Sequence, residues 1–144
     1  MKLLSIDPGK CKCGLVLADQ VKRKVLQALV IESELLVNHV IDFQKDYSEL
    51  NVIIGNGTTS ELFIKQLDFM DLQVSVVDEK NSTLRAKERY FDIYPTSGIK
   101  KFLFREIIIS NLNLDAMSAL VILEDFSGFR YDFSSTIDTK TWRK

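Results

Sequence analysis

Four stretches of this 144-residue chain carry acids or amides where a structural element should end. Asp7 closes the apolar run L-L-S-I-D and opens the turn Asp7-Pro8-Gly9. Asn56 follows N-V-I-I-G, Asp78 and Glu79 follow Q-V-S-V-V, and Asp115 stands in the first turn of L-D-A-M-S-A-L-V-I-L-E-D-F. Carboxylates delivered from separate elements to one point are hard oxygen donors suited to Mg²⁺. Two such ions about 3.5–4 Å apart activate water and stabilise the leaving oxygen in phosphodiester hydrolysis. Without a cation those acids repel one another, so clustering them is costly for a purely structural site. Taken singly, each has an ordinary alternative. Asp7 forms turns, Glu79 suits a solvated loop, and Asp115 is favoured by a helix dipole.

Hydrophobic patterning supplies the elements that must position them. Lys2–Asp7 and Cys13–Ala18 read as strands joined by a tight turn, and Lys24–Glu32 as a third, with 19–23 as its turn. Short connections make these an antiparallel meander. Ser33 reads as the N-cap of a helix with Leu36, Val40 and Phe43 at helical spacing. Residues 51–55 form a short strand, a helix runs from about Ser60 to Phe69, and Gln73–Val77 is a further strand. The run L-R-A-K-E-R-Y-F-D-I is helical, capped by Ser82 and broken at Tyr94-Pro95. Residues 99–113 fit a helix, a strand or an irregular cover, and are apolar enough to serve as a subunit interface. The run from Leu114 to Phe126 is a helix with Ala and Leu nearly all round, hence buried on most sides. The expected fold is α/β: a mixed five-stranded sheet, three antiparallel strands followed by parallel ones, flanked by helices. It occupies one domain, 1–126, followed by a tail, 127–144. In such sheets ligands gather at the carboxyl ends of the parallel strands. Asp7, Asn56, Asp78 and Glu79 all fall there.

Composition narrows the function classes. Apolar residues make up 46% and charged ones 27%, as in soluble globular domains. A net charge of −1 excludes a generally basic nucleic-acid binder. The charge is nevertheless uneven: Lys80, Arg85, Lys87, Arg89, Lys100, Lys101 and Arg105 face only Glu88 and Asp92, and a second cluster holds Lys10, Lys12, Lys22, Arg23 and Lys24. No run approaches the roughly 18–20 apolar residues of a membrane span, and Asp7 and Lys10 interrupt the first apolar run too early for a signal peptide. Cys11 and Cys13 are too close for easy disulfide closure, and no further Cys completes a zinc site. Reduced thiols and a cytoplasmic location are the expectation. His39, the single histidine, sits in a predicted helix without a nearby partner and reads as a packing residue.

Three stretches taken in order carry a resemblance. I-D-P-G-x-x-x-C-G-L-V, then V-V-D-E-K-N-S-T-L-R-A-K-E-R-Y, then L-D-A-M-S-A-L-V-I-L-E-D-F resemble the RuvC-like, YqgF-type proteins. Members are described as Holliday-junction resolvases or pre-16S rRNA-processing nucleases, and the short cyanobacterial branch is the most similar. The resemblance spans roughly Lys2 to Phe126 and implies a ribonuclease H-like fold. It implies that Asp7, Glu79 and Asp115 are the catalytic and metal-holding acids, with Mg²⁺ or Mn²⁺ as cofactor. Two positions depart from the pattern. D-E-R is D-E-K here, so a guanidinium becomes the point charge of Lys80, and a second acid common beside the last one is Ala116.

Within that frame, Arg85 and Arg89 lie four apart on one helix face and would grip substrate phosphates. Lys10, Lys80, Ser82 and Thr83 add further contacts, and the loop of Asn56 and Thr58 offers backbone amides to a phosphate. The alternative for that helix is a solvated face with Leu84, Phe91 and Ile93 inward. Three functional classes follow. The first is a metal-dependent nuclease acting on branched DNA or precursor rRNA, as a monomer or homodimer. The second, motivated by Lys80 and Ala116, is a weak or inactive relative that binds nucleic acid or a ribosomal precursor. The third, half of an actin-like ATPase, is disfavoured because the chain has length for only one such domain.

Overall fold

The structure, a computed structural model, describes residues 1–68, 70, 72–78, 82–95, 114–134, 136–137 and 142–143. Strands β1 (Lys2–Asp7), β2 (Lys12–Asp19) and β3 (Lys24–Glu32) form the expected antiparallel meander. A 3₁₀ turn (Ser33–Leu35) leads into α1 (Leu36–Asp46), followed by β4 (Leu50–Gly55), α2 (Ser60–Asp68) and β5 (Gln73–Val77). Helix α3 (Ser82–Ile93) and helix α4 (Asp115–Ser127) complete the helical set among the described residues. Strand β4 runs parallel to β1, and β5 parallel to β4. The sheet order is β5-β4-β1-β2-β3-β6, in which β6 (Trp142–Arg143) is a two-residue parallel addition to β3. The mixed five-stranded sheet flanked by helices is therefore the one expected, and it is consistent with a ribonuclease H-like architecture. Residues 99–113 lie outside the described ones.

Alternation along the strands sorts side chains onto two faces. Leu4, Ile6, Leu15, Leu17, Ile31, Val52 and Ile54 face one layer, where Leu36, Val40 and Phe43 of α1 and Phe63 and Leu67 of α2 cover them. Leu3, Val16, Ala18, Val30 and Ile53 face the other, against α4. A register shift at Leu17/Ala18, opposite Val25 and Gln27, lets Val25 and Ala28 share that second face although they are three apart. Such a bulge inserts one residue and re-aims the strand.

Helix α4 is the second layer's keystone. Ala116 to Leu123 are all buried, as an all-round apolar helix requires. It stops at Gly128, whose φ of +74° is the left-handed conformation that glycine adopts at no steric cost. The chain then returns to the sheet. The Val25 amide donates to the Asp132 carbonyl at 2.9 Å, and the Asp132 amide to the Arg23 carbonyl at 2.8 Å. Tyr131 and Phe133 are thereby buried against α4.

Ser33 departs from the expected N-cap. Its hydroxyl donates to the Gly9 carbonyl at 2.8 Å, and its amide to the Cys11 carbonyl at 3.0 Å. A buried hydroxyl needs a partner, and here the β1–β2 turn supplies it, so Ser33 ties that turn down instead of capping α1.

At the opposite end of the meander, Asp19 accepts hydrogen bonds from Lys2 Nζ at 2.6 Å and the Lys22 amide at 3.0 Å. The Lys2 bond first, and the Lys22 amide second, hold its carboxyl down to about 2 from an ordinary 3.8. A carboxyl depressed on folding contributes stability that is fully present above its unfolded pKa and lost as pH falls through its folded pKa. Denaturant midpoints should therefore fall as pH drops from about 4 towards about 2. Asp19→Asn should flatten that limb; an unaltered slope in the variant would refute the tie.

Candidate functional site

The site grows from one close approach. Asp7 ends β1 and pairs in register with Gly14 of β2. Any Cβ at Gly14 would collide with the Asp115 carbonyl and the Ala116 amide nitrogen. The missing side chain therefore lets the first turn of α4 sit directly on the sheet. Asp115 is delivered beside Gly14, the residue opposite Asp7, so the backbone brings two of the three expected acids to the same end of the central strands. Both fields reach the buried Cys13 thiol. Burial is the main cause pushing that thiol up, Asp7 and Asp115 add to it, and hydrogen bonds to Ser33 and Gly9 oppose it.

The third expected acid, Glu79, lies outside the described residues, as does Lys80. Asp78, at the end of β5, is exposed. Beside Asp115 stands a cation that the chain itself provides: Lys12 Nζ lies 3.0 Å from Asp115 Oδ2. That oxygen is buried and receives no aligned hydrogen bond, so the contact is one of charge with charge. Among the described residues no group of three or more His, Cys, Asp or Glu side chains could hold a metal ion. This corrects the expectation of Mg²⁺ or Mn²⁺ held by Asp7, Glu79 and Asp115. The described donors at this edge are two carboxylates, one of them already neutralised by an ammonium, and two-metal chemistry asks for more oxygen ligands than that.

The β1–β2 turn is fastened to its neighbours. Thr59 Oγ1 donates to the Pro8 carbonyl at 2.9 Å, which joins the turn to the loop before α2. That loop is itself ordered by Asn56 N to Val77 O at 2.7 Å and by Ser60, whose amide and hydroxyl both donate to Gly57 O at 3.1 and 2.6 Å. Asn56 and Thr58 are exposed on it, and Lys10 is exposed on the turn beside it. A cavity of about 670 Å³ opens next to this edge between α1 and α2, lined by Gly9, Lys10, Ser33, Val37, Thr59 and Phe63 among others.

The two arginines expected to grip phosphates are bonded to acids of α4. Arg85 forms a bidentate pair with Asp125, both bonds at 2.6 Å, which holds its guanidinium pKa above the ordinary value. Arg89 bonds Glu124 Oε1 at 3.0 and 3.1 Å and donates to the Tyr131 carbonyl at 2.8 Å. Glu124 in turn accepts from the Tyr131 amide at 3.0 Å. Thr83, on the same helix, is exposed; the helix includes Ser82, whose side chain lies outside the described ones. Lys12 entered the sequence reading only as one of a basic cluster and Thr59 only as the last residue of the 55–59 loop. The signal for Lys12 was its parity, since a residue two before Gly14 shares its face. Nothing local marked the bond of Thr59 to Pro8, which is 51 residues away.

No family model matches the sequence, and no curated protein matches it. Solved structures do. The Thermus thermophilus RuvC structure aligns with TM-score 0.49 at 11% identity, covering 89% of this chain and 95% of that one. T. thermophilus RuvC in complex with Holliday junction substrate aligns with TM-score 0.48 at 12% identity, covering 92% and 99%. At these values the likeness decides nothing that strand order and packing have not already decided. The class defined by the chain's own geometry is a mixed α/β protein with a sheet of antiparallel and parallel strands flanked by helices. No helix among the described residues is long and apolar enough to cross a membrane.

The two arginine pairs differ in burial, and that separates their energetic roles. Arg89 and Glu124 are 11% and 10% exposed, whereas Arg85 and Asp125 are 44% and 31% exposed. Arg89→Met strands a buried carboxylate and should cost about 3–5 kcal/mol in urea unfolding. Arg85→Met should cost no more than about 1 kcal/mol. Equal, small losses would show that the α3–α4 network is not structural.

Proposed function

We propose that this chain is a ribonuclease H-like module that binds structured nucleic acid, either branched DNA or precursor ribosomal RNA, at the edge formed by the β1–β2 turn and the 56–59 loop. One observation carries the reading: the Thr59–Pro8 hydrogen bond locks the exposed Lys10, Asn56 and Thr58 into a single platform. A fixed array of one ammonium, an amide and a hydroxyl suits the phosphate backbone, where contacts position a duplex without reading its bases. The order of the three motifs supports the same class. Binding is favoured over hydrolysis because Asp115 is met by Lys12 and no group of three or more His, Cys, Asp or Glu side chains among the described residues could hold a metal ion. In this reading Asp7 and Asp115 shape the edge, and phosphate contact falls mainly to Lys10 and the loop.

Fluorescence anisotropy with a labelled four-way DNA junction and a labelled rRNA-precursor hairpin tests this, over a salt series. Both probes should bind more tightly than an unstructured strand. Lys10→Ala should weaken binding and reduce the salt slope by about 1. Thr59→Val should weaken binding with little change in slope, because it loosens the platform without removing a charge. Affinity indifferent to both substitutions would overturn the reading. So would strand cleavage by the wild type that Asp7→Asn abolishes.

A further inference from the structure

We propose that the Lys12 ammonium is the built-in counter-ion of the Asp7–Asp115 edge, standing where the sequence pattern calls for an external cation. Alternation along β2 puts Lys12 on the face of Gly14, and hence on the face of Asp7, its register partner. Gly14 seats the first turn of α4 against that face, and Lys12 Nζ closes to 3.0 Å from Asp115 Oδ2. The oxygen it meets is buried without an aligned hydrogen bond, while the Asp115 side chain as a whole is 30% exposed and that of Lys12 40% exposed. A pair this exposed changes the folding equilibrium by only a few-fold, which a double-mutant cycle can read.

The helix itself offers that cation nothing. An N-terminus carries partial positive charge, which attracts Asp115 and repels an ammonium. Lys12 is therefore held there by acid, and Asp115 Oδ2 stands 3.0 Å from its ammonium. A lysine also differs from a divalent ion in being tethered: its local concentration is fixed by the strand, and a metal ion competing for Asp115 must first displace it. The inference does not depend on nucleic-acid binding, and its test contains no nucleic acid.

A double-mutant cycle on unfolding, using Lys12→Met, Asp115→Asn and the two together, reads the coupling directly. Each single substitution should raise the unfolding constant. The double variant should unfold at least about threefold less readily than the product of the single effects predicts. Effects that simply multiply would overturn the proposal. If Lys12→Met alone is too unstable to measure, a cooperative transition regained in the double variant is the expected result, and a double variant equally unfolded overturns it. Calorimetric titration of the wild type with Mg²⁺ or Mn²⁺ chloride at millimolar concentration should give no binding heat. Divalent binding by the wild type that Asp7→Asn removes would show that the edge takes an external cation, and the proposal would fail.

Discussion

The contact on which this structure turns is a backbone one, between Gly14 of β2 and the first turn of α4. Helix α4 packs against β1, β2, β3 and β4, and its buried run from Ala116 to Leu123 fills the second layer. Side chains along that run set how the helix packs further on. At its start the approach is set by the absence of one side chain. Protein interiors do not stretch to absorb a misplaced methyl, so a Cβ at position 14 would lift the end of the helix that carries Asp115. Core packing and the geometry of the acid edge therefore share one constraint, and neither can be altered without the other.

Electrostatics then decides what the edge can do. Asp7 and Asp115 both reach the buried Cys13 thiol and add to the rise that burial gives it. Lys12 pairs with Asp115 from β2, the same strand that carries Gly14. The strand thus provides both the gap that admits the acid and the charge that stabilises it. On the opposite side of α4 a second set of charges is spent internally. Glu124 satisfies Arg89 and the Tyr131 amide, so the turn after α4 is held by a buried network and not by apolar packing alone.

Much of this was legible from period and punctuation. Short apolar runs in 2–7, 13–18 and 24–32, with short connections, require a meander, and the parallel strands follow from the helices that separate them. The bulge was not legible, because Val25 and Ala28 satisfy either face until their partners on β2 are known. Ser33 has the residue type and position of an N-cap, but the Gly9 carbonyl 24 residues earlier outcompetes the helix for its hydroxyl. Tyr131 and Phe133 follow a glycine in a stretch with no period, and only the return of the chain to β3 makes them core. Asp7 was legible as the residue closing β1 and Asp115 as the acid opening α4, whereas the contact of that first turn with Gly14 was not. That Arg85 and Arg89 would face acids was legible only in part: their spacing fixes one helix face, while Glu124 and Asp125 sit on another helix 35 and 40 residues on.

Those two commitments move the basic character of the molecule. A guanidinium in a bidentate pair with a carboxylate has little left to offer a phosphate, since the planar fork that would clasp one is already filled. An exposed ammonium on a tight turn gives up little on binding, because its surroundings are water. The α3 face rich in Lys and Arg in the sequence is thus partly neutral in the fold. The short β1–β2 turn, with one exposed lysine and a neighbouring loop pinned by Thr59, presents its charge outward. Counting cations along the chain puts the positive face on α3. Pairing them in space shows Arg85 and Arg89 held by α4 and leaves Lys10 exposed on the β1–β2 turn.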